Sequence, residues 1–157
     1  MTRVGKVLKW LVVAIAVVFI GLQFVRPART NPAVDHTQTI QAHLQLTPQV
    51  AAILDRSCQD CHSNGTRWPW YSNVAPASWF LIDHVNHGRS HLNFSEWGKL
   101  DKRQSVKKLE EMCEEVTDKM MPLDSYTWIH RTAILSDEDR KTLCDWTEAE
   151  RARLSAQ

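Results

Sequence analysis

The residues with chemistry in them begin at Cys58. The string Cys58-Gln59-Asp60-Cys61-His62 sets two thiols three residues apart, with an imidazole directly after the second. On one helical turn, two such thiols can add to both vinyl groups along a single porphyrin edge. The adjacent histidine then lies where it can ligate iron, which is the c-type haem attachment pattern. Four cysteines and seven histidines scattered at random over 157 residues would give about 0.004 such strings, so coincidence is a poor explanation. Three other uses of the pair are weaker. A redox dithiol follows a strand and opens a helix, where the dipole lowers a thiol pKa; here the pair comes after a helical pattern. A zinc site needs a second ligand pair, and Cys113 and Cys144 are far apart in sequence. A disulfide across so short a loop would be strained and would gain little from loop closure.

A haem iron held by His62 leaves a sixth position to fill. The candidates are Met112, Met120, Met121, His84, His87, His91 and His130. Met121 is preferred, because Pro122 directly after it lacks a backbone donor, fixes φ and stiffens the loop. Met120 is its nearest rival, since a loop can slip by one residue. Met112 lies on an apolar helical face and reads as core filler. His84, His87 and His91 would share one face if their helix continues past Gly88. They read as solvated or capping residues, with bis-histidine ligation through one of them as the competitor. Cys113 and Cys144 remain. Two buried free thiols is the plain reading, but an even leftover pair in an oxidising compartment favours a bond, which would stabilise by roughly 3–4 kcal/mol in the chain-entropy model.

Helices must position these groups. Thr47-Pro48 reads as an N-cap with proline at the first helical position, leading into Val50, Ala51, Ile53 and Leu54. Pro76 opens a second helix with Trp79, Phe80, Ile82 and Val85 on one face, ending near Gly88. Asp101 caps a third that carries Val106, Leu109, Met112, Cys113 and Val116. Ser136 with Asp139 forms a capping-box variant ahead of Leu143 and Trp146. There is no alternating β-branched run and no Asn-Gly or Asp-Gly hairpin turn. The body is therefore expected to be all-α, with long ordered connections. Two of these connections, 62–76 and 119–130, hold Trp68, Trp70, Tyr71, Tyr126 and Trp128. Loops that rich in aromatics must cover them with something, and a large flat cofactor would serve. Trp68, Trp70, Tyr71 and Tyr126 are accordingly candidates for packing on haem.

Ahead of the body stands a leader. Trp10 to Leu22 carries no charge, and from Val7 to Val25 only Lys9 and Gln23 are polar. A helix over that stretch spans about 28 Å, close to a hydrocarbon core. The run also suits a signal peptide, but Gly21-Leu22-Gln23-Phe24-Val25-Arg26 offers no Ala-x-Ala site, which favours an uncleaved anchor. Arg3, Lys6 and Lys9 would stay in the cytoplasm and the body would be exported, although Arg26 and Arg29 weaken the asymmetry. The boundaries read as an anchor at 1–25, a tether at 26–46, a haem-binding domain at 47–150 and a tail at 151–157. The formal net charge of +1 is an average of unlike parts. Residues 1–30 carry five basic and no acidic side chains, leaving 14 basic against 18 acidic in the rest. That mildly acidic body has no basic stripe for nucleic acid.

At this point the chain resembles a known family, small exported bacterial haem-binding domains of the c-type cytochrome kind. The resemblance rests on Cys58-x-x-Cys61-His62-Ser63-Asn64, Thr66, Trp68-Pro69-Trp70-Tyr71, Ala75-Pro76, Trp79 and Asn93-Phe94-Ser95-Glu96-Trp97. It continues in Met121-Pro122, Tyr126, His130, Ala133, Leu135-Ser136 and Trp146, and in Gln23-Phe24-Val25-Arg26-Pro27 with Thr30-Asn31-Pro32 after the leader. It covers roughly residues 20–148; the doublet Met120-Met121 and Asp124 depart from the family's pattern. The resemblance implies one covalent haem c on a cytochrome c-like all-α domain behind one N-terminal transmembrane helix. Cys58 and Cys61 would take the thioether roles, with His62 and Met121 as axial iron ligands. The expected function is one-electron transfer to a redox partner protein, on the periplasmic side of the inner membrane. A haem sensor or peroxidase-like enzyme with a displaceable distal ligand is the alternative, and a zinc or dithiol module stands behind both.

Overall fold

A computed structural model describes residues 3–156. In chain order the helices are α1 (Arg3–Leu22), α2 (Ile40–His43), α3 (Pro48–Ser57), α4 (Gln59–His62), α5 (Ala77–His91), α6 (Lys102–Thr117), α7 (Asp124–Thr127) and α8 (Asp137–Ser155). Short 3-10 turns cover Trp70–Asn73, Phe94–Lys99 and Arg131–Ala133. No strand occurs among the described residues, so the fold is all-α, with one apolar helix ahead of the helical body.

Side-chain caps set where the longer helices start. The Thr47 hydroxyl accepts the Val50 N–H at 3.2 Å, and Pro48 fills the first helical position of α3. Asp101 and Gln104 form a reciprocal capping box at α6, and Ser136 and Asp139 form another at α8. Each such cap contributes about 1 kcal/mol by satisfying amides that a helix start leaves orphaned. Helix α5 runs past Gly88 to His91, beyond the end expected from the glycine.

The chain divides into two units. The larger comprises residues 31–67 and 85–157. In it the cross-links Lys102 to Ser155, Glu110 to Arg151, Cys113 to Cys144 and Val116 to Arg140 run in opposite sequence order, so α6 and α8 lie antiparallel. Cys113 and Cys144 are joined by a disulfide. Leu109, Met112 and Val116 of α6 meet Leu143 and Trp146 of α8 in a core closed by Val50, Ile53 and Leu54 of α3. Phe94 and Trp97 join the same core. The stretch read as a tether has structure of its own: α2 buries Ile40 completely in that core, and Leu44 follows. Arg56 of α3 pairs with Asp139 of α8 at 2.6 Å.

The smaller unit comprises residues 1–30 and 68–84. Its α1 has 20 residues, none of them buried, and is long and apolar enough to cross a membrane. The chain leaving α1 is tied to the 70–79 segment. The Gln23 amide donates to Ala75 O at 3.1 Å and accepts from Ala75 N at 2.9 Å. The Trp79 indole donates to Val25 O at 2.7 Å, and Arg29 donates to the Ser72 hydroxyl at 3.0 Å.

Candidate functional site

Helix α3 stops because Cys58 departs from helical geometry, with φ −126° and ψ −38°. One further turn then wraps the cysteines and the histidine together. The N–H groups of Cys61 and His62 both donate to Cys58 O, at 3.2 and 2.9 Å. Both thiols are free and partly buried, and Cys58 packs against the core of the larger unit. Burial pushes the Cys58 thiol up to about 12, with Cys61 beside it adding to the shift. Burial, with Asp60 next door, raises Cys61 to about 11. Thiols held neutral in this way are unlike the lowered thiolate of a dithiol redox centre.

His62 is fixed by its neighbours. Its Nδ1 lies 3.0 Å from the carbonyl of Leu92, and because a carbonyl only accepts, Nδ1 carries the proton. That leaves Nε2 as the lone-pair nitrogen, which is how protein scaffolds orient a metal-ligating histidine. Burial lowers the imidazole pKa below its usual value, against a smaller upward pull from the Leu92 and Gly88 carbonyls, which favours the neutral ring. Phe94 flanks it with ring centroids 6.0 Å apart. Helix α5 presses onto the same turn at Gly88, where a Cβ would lie 2.8 Å from Cys61 O. Only glycine allows that backbone approach.

A polar clamp holds the turn from outside. Asp60, inside the motif, accepts from Arg67 N at 3.1 Å, from Arg67 Nε at 2.8 Å and from the Tyr126 hydroxyl at 2.8 Å. Thr66 donates to Asp60 O at 2.7 Å, and Ser63 donates to Gln59 O at 2.8 Å. Arg89 donates from Nε to Ser63 O at 2.7 Å and from Nη2 to the Thr66 hydroxyl at 2.8 Å. Burial of the Tyr126 phenol and its bond to the Asp60 carboxylate raise its pKa well above the usual value.

The loop bearing Met121 is positioned by the end of α6. Lys119 adopts φ 60°, and Met120 N and Met121 N both donate to Glu115 O, at 2.9 and 3.0 Å. With Lys119 N on Val116 O, this is a Schellman stop that has lysine in place of the usual glycine. The stop turns Met120 outward and Met121 inward: Met120 is 62% exposed, whereas Met121 is partly buried against the core that also receives Cys58. The Glu115 carboxylate is close enough to His62 to act on its protonation.

The structure thus brings Cys58, Cys61, His62, Met121 and Tyr126 into the larger unit, around one core and one clamp. Tyr126 directs its hydroxyl to Asp60 and stacks its ring on His130, with centroids 4.3 Å apart. Met112 is buried core. His87 and His91 lie exposed near the end of α5 with ring centroids 4.4 Å apart, and His84 stands over Phe80 at 4.0 Å. Trp68, Trp70 and Tyr71 belong to the smaller unit, and Trp70 is 78% exposed there. The sequence pattern assigns no role to Asp60, Arg67 or Arg89 and marks Gly88 only as a helix end. An acid inside the motif with an arginine seven residues on was the available signal for the first two.

The donor set fits a haem. It offers two free thiols on one turn, an imidazole with Nδ1 already committed to a carbonyl, and a thioether-bearing loop folded against the same core. A helical domain arranged in this way defines a haem-holding protein. The model of the Haem-binding domain family matches residues 17–149, and the chain belongs to that family. No curated protein and no solved structure matches it.

Proposed function

We propose that this protein is a membrane-tethered c-type cytochrome that carries single electrons outside the cytoplasm. The observation that carries the reading is the Cys58–His62 turn, with His62 Nδ1 held by Leu92 O and Nε2 left for a metal. Cys58 and Cys61 would hold the haem edge as thioethers, and His62 and Met121 would ligate its iron. Bound there, haem supplies one-electron cycling of iron between the ferric and ferrous states. The residues around it do the rest. Leu92 O keeps the His62 ring from rotating, Asp60 with Arg67 and Tyr126 keeps the attachment turn from opening, and the Schellman stop keeps Met121 facing the core. A methionine ligand raises a haem potential relative to a second histidine. Helix α1 would keep the domain near membrane redox partners and raise its effective concentration there.

The test is acid–acetone extraction of the purified chain, matured with haem-attachment machinery, followed by a pyridine haemochrome spectrum. Haem that stays on the polypeptide with a thioether-type spectrum is expected. Haem that extracts removes the covalent reading. Fast, tight carbon monoxide binding by the reduced protein would replace electron carriage with a sensor or peroxidase-like role.

A further inference from the structure

The geometry points to a second membrane contact: the 68–80 segment lies on the lipid surface beside the exit of α1. This rests on the reading of α1 as a membrane anchor. Four hydrogen bonds tie residues 72–79 to Gln23, Val25 and Arg29, all on the chain that leaves α1 after Leu22. The Gln23–Ala75 pair is reciprocal, so it fixes both the distance and the register of the segment against the chain that emerges from the apolar helix. A segment held within a few residues of Leu22 is held at the bilayer boundary wherever α1 spans.

The composition of the segment matches that place. Residues 68–82 contain no charged side chain, while Trp68, Trp70, Tyr71, Trp79 and Phe80 supply aromatic rings. Tryptophan and tyrosine concentrate at membrane–water interfaces, where an apolar ring and a polar edge are both satisfied. Trp70 and Phe80 are 78% and 55% exposed, and Phe24 on the exiting chain is 84% exposed. The only charges close in sequence on that chain are Arg26 and Arg29, the sign that anionic phosphates attract. Elsewhere the body is acidic, so an uncharged aromatic segment tied to the anchor's exit marks a lipid-facing surface. The Trp70–Phe80 stretch, which runs from the aromatic loop into the start of α5, thus fixes the unit on the bilayer so that α1 is not a swivel.

The test places a photoreactive benzoylphenylalanine at position 70, and separately at 80, in the full haem-loaded chain in vesicles of phosphatidylcholine and phosphatidylglycerol. The same group at Asp137, whose side chain is 97% exposed, is the reference. An unchanged helical circular dichroism spectrum shows that each variant has folded. Lipid adducts at 70 and 80 several-fold above those at 137 are expected, and Gln23→Ala should reduce them while the chain stays in the membrane. Adducts at 70 and 80 no higher than at 137, in a chain that resists alkaline extraction, overturn the proposal and leave the anchor standing. Cross-links to a second copy in place of lipid overturn it too. Release of the chain by alkaline extraction defeats the anchor reading itself.

Discussion

Replacing Tyr126 by phenylalanine removes one oxygen and tests how the attachment turn is held. The phenol donates to Asp60 Oδ2 at 2.8 Å, and Asp60 is 14% exposed at its side chain. A hydrogen bond to a charged partner contributes about 1.5–3 kcal/mol. Arg67 stays on the other carboxylate oxygen, so Asp60 is not stranded and the lower end applies, about 1.5 kcal/mol. In a chain of this size that lowers the melting temperature by about 3–6 °C. Arg67→Ala should cost less, because the guanidinium is 54% exposed and exposed ion pairs contribute about 0–1 kcal/mol. Urea and thermal unfolding of the haem-loaded chain in detergent give the values, and Asp60→Ala completes a double-mutant cycle with Tyr126→Phe. The coupling should reach about 1 kcal/mol, well beyond the few tenths by which unconnected sites deviate from additivity. Additive effects would refute the idea that the attachment turn is held through this bond.

Other outcomes follow from the same contacts. Met121→His is expected to lower the midpoint potential in a redox titration while the haem stays attached; an unchanged potential and optical spectrum would take Met121 out of the axial role. Replacing Cys113 and Cys144 with serine opens a loop with a sequence separation of 31 and should cost about 3–4 kcal/mol in urea unfolding. Asp139 is buried enough for its carboxyl pKa to be pushed upward, but its bonds to Arg56 and Ser136 together outweigh this and hold it below the usual range. A lowered folded-state pKa stabilises above the unfolded value of about 3.9 and loses that stabilisation as pH falls through the folded value. The stability gap between the native chain and Asp139→Asn should therefore be full at pH 6 and close on acidification below about pH 4.

Local signals made much of this fold legible. Thr47, Asp101 and Ser136 mark helix starts because a cap is a contact within three residues, and the sequence carries both partners. Met112 could be placed in the core because its spacing from Leu109 and Val116 fixes a helical face. What escaped reading depends on chain meeting chain. Nothing near His62 announces that its ring will find Leu92 O, since any backbone carbonyl could serve. Gly88 reads as a helix end, a common use of glycine, whereas its purpose lies across the packing at Cys61 O. Residues 26–46 read as a tether because prolines and polar residues dominate them, yet Ile40 and Leu44 are enough to seat α2 in the core. In sequence the two aromatic loops look alike. Tyr126 binds a carboxylate, while Trp70 stands exposed in the unit that carries α1, and only the placement of their partners separates them.

The charge pattern follows the two structural units and carries a consequence for partners. The smaller unit holds five basic side chains and one acid, Asp83; the larger holds 14 basic against 17 acidic. The sum of +1 thus divides into +4 on the unit with the apolar helix and −3 on the unit with the thiols and His62. Ionised propionates of a bound haem would make the second value more negative. If the proposed electron carriage holds, a redox partner approaching the larger unit should present a basic face, and the encounter should weaken as salt shortens the screening length from about 10 Å at 0.1 M to about 3 Å at 1 M. Stopped-flow reduction by a small basic redox protein is expected to slow steeply with salt, and reduction by an acidic one to quicken or stay flat. Rates that ignore salt for both would mean that the split charge sets no preference for a partner's charge.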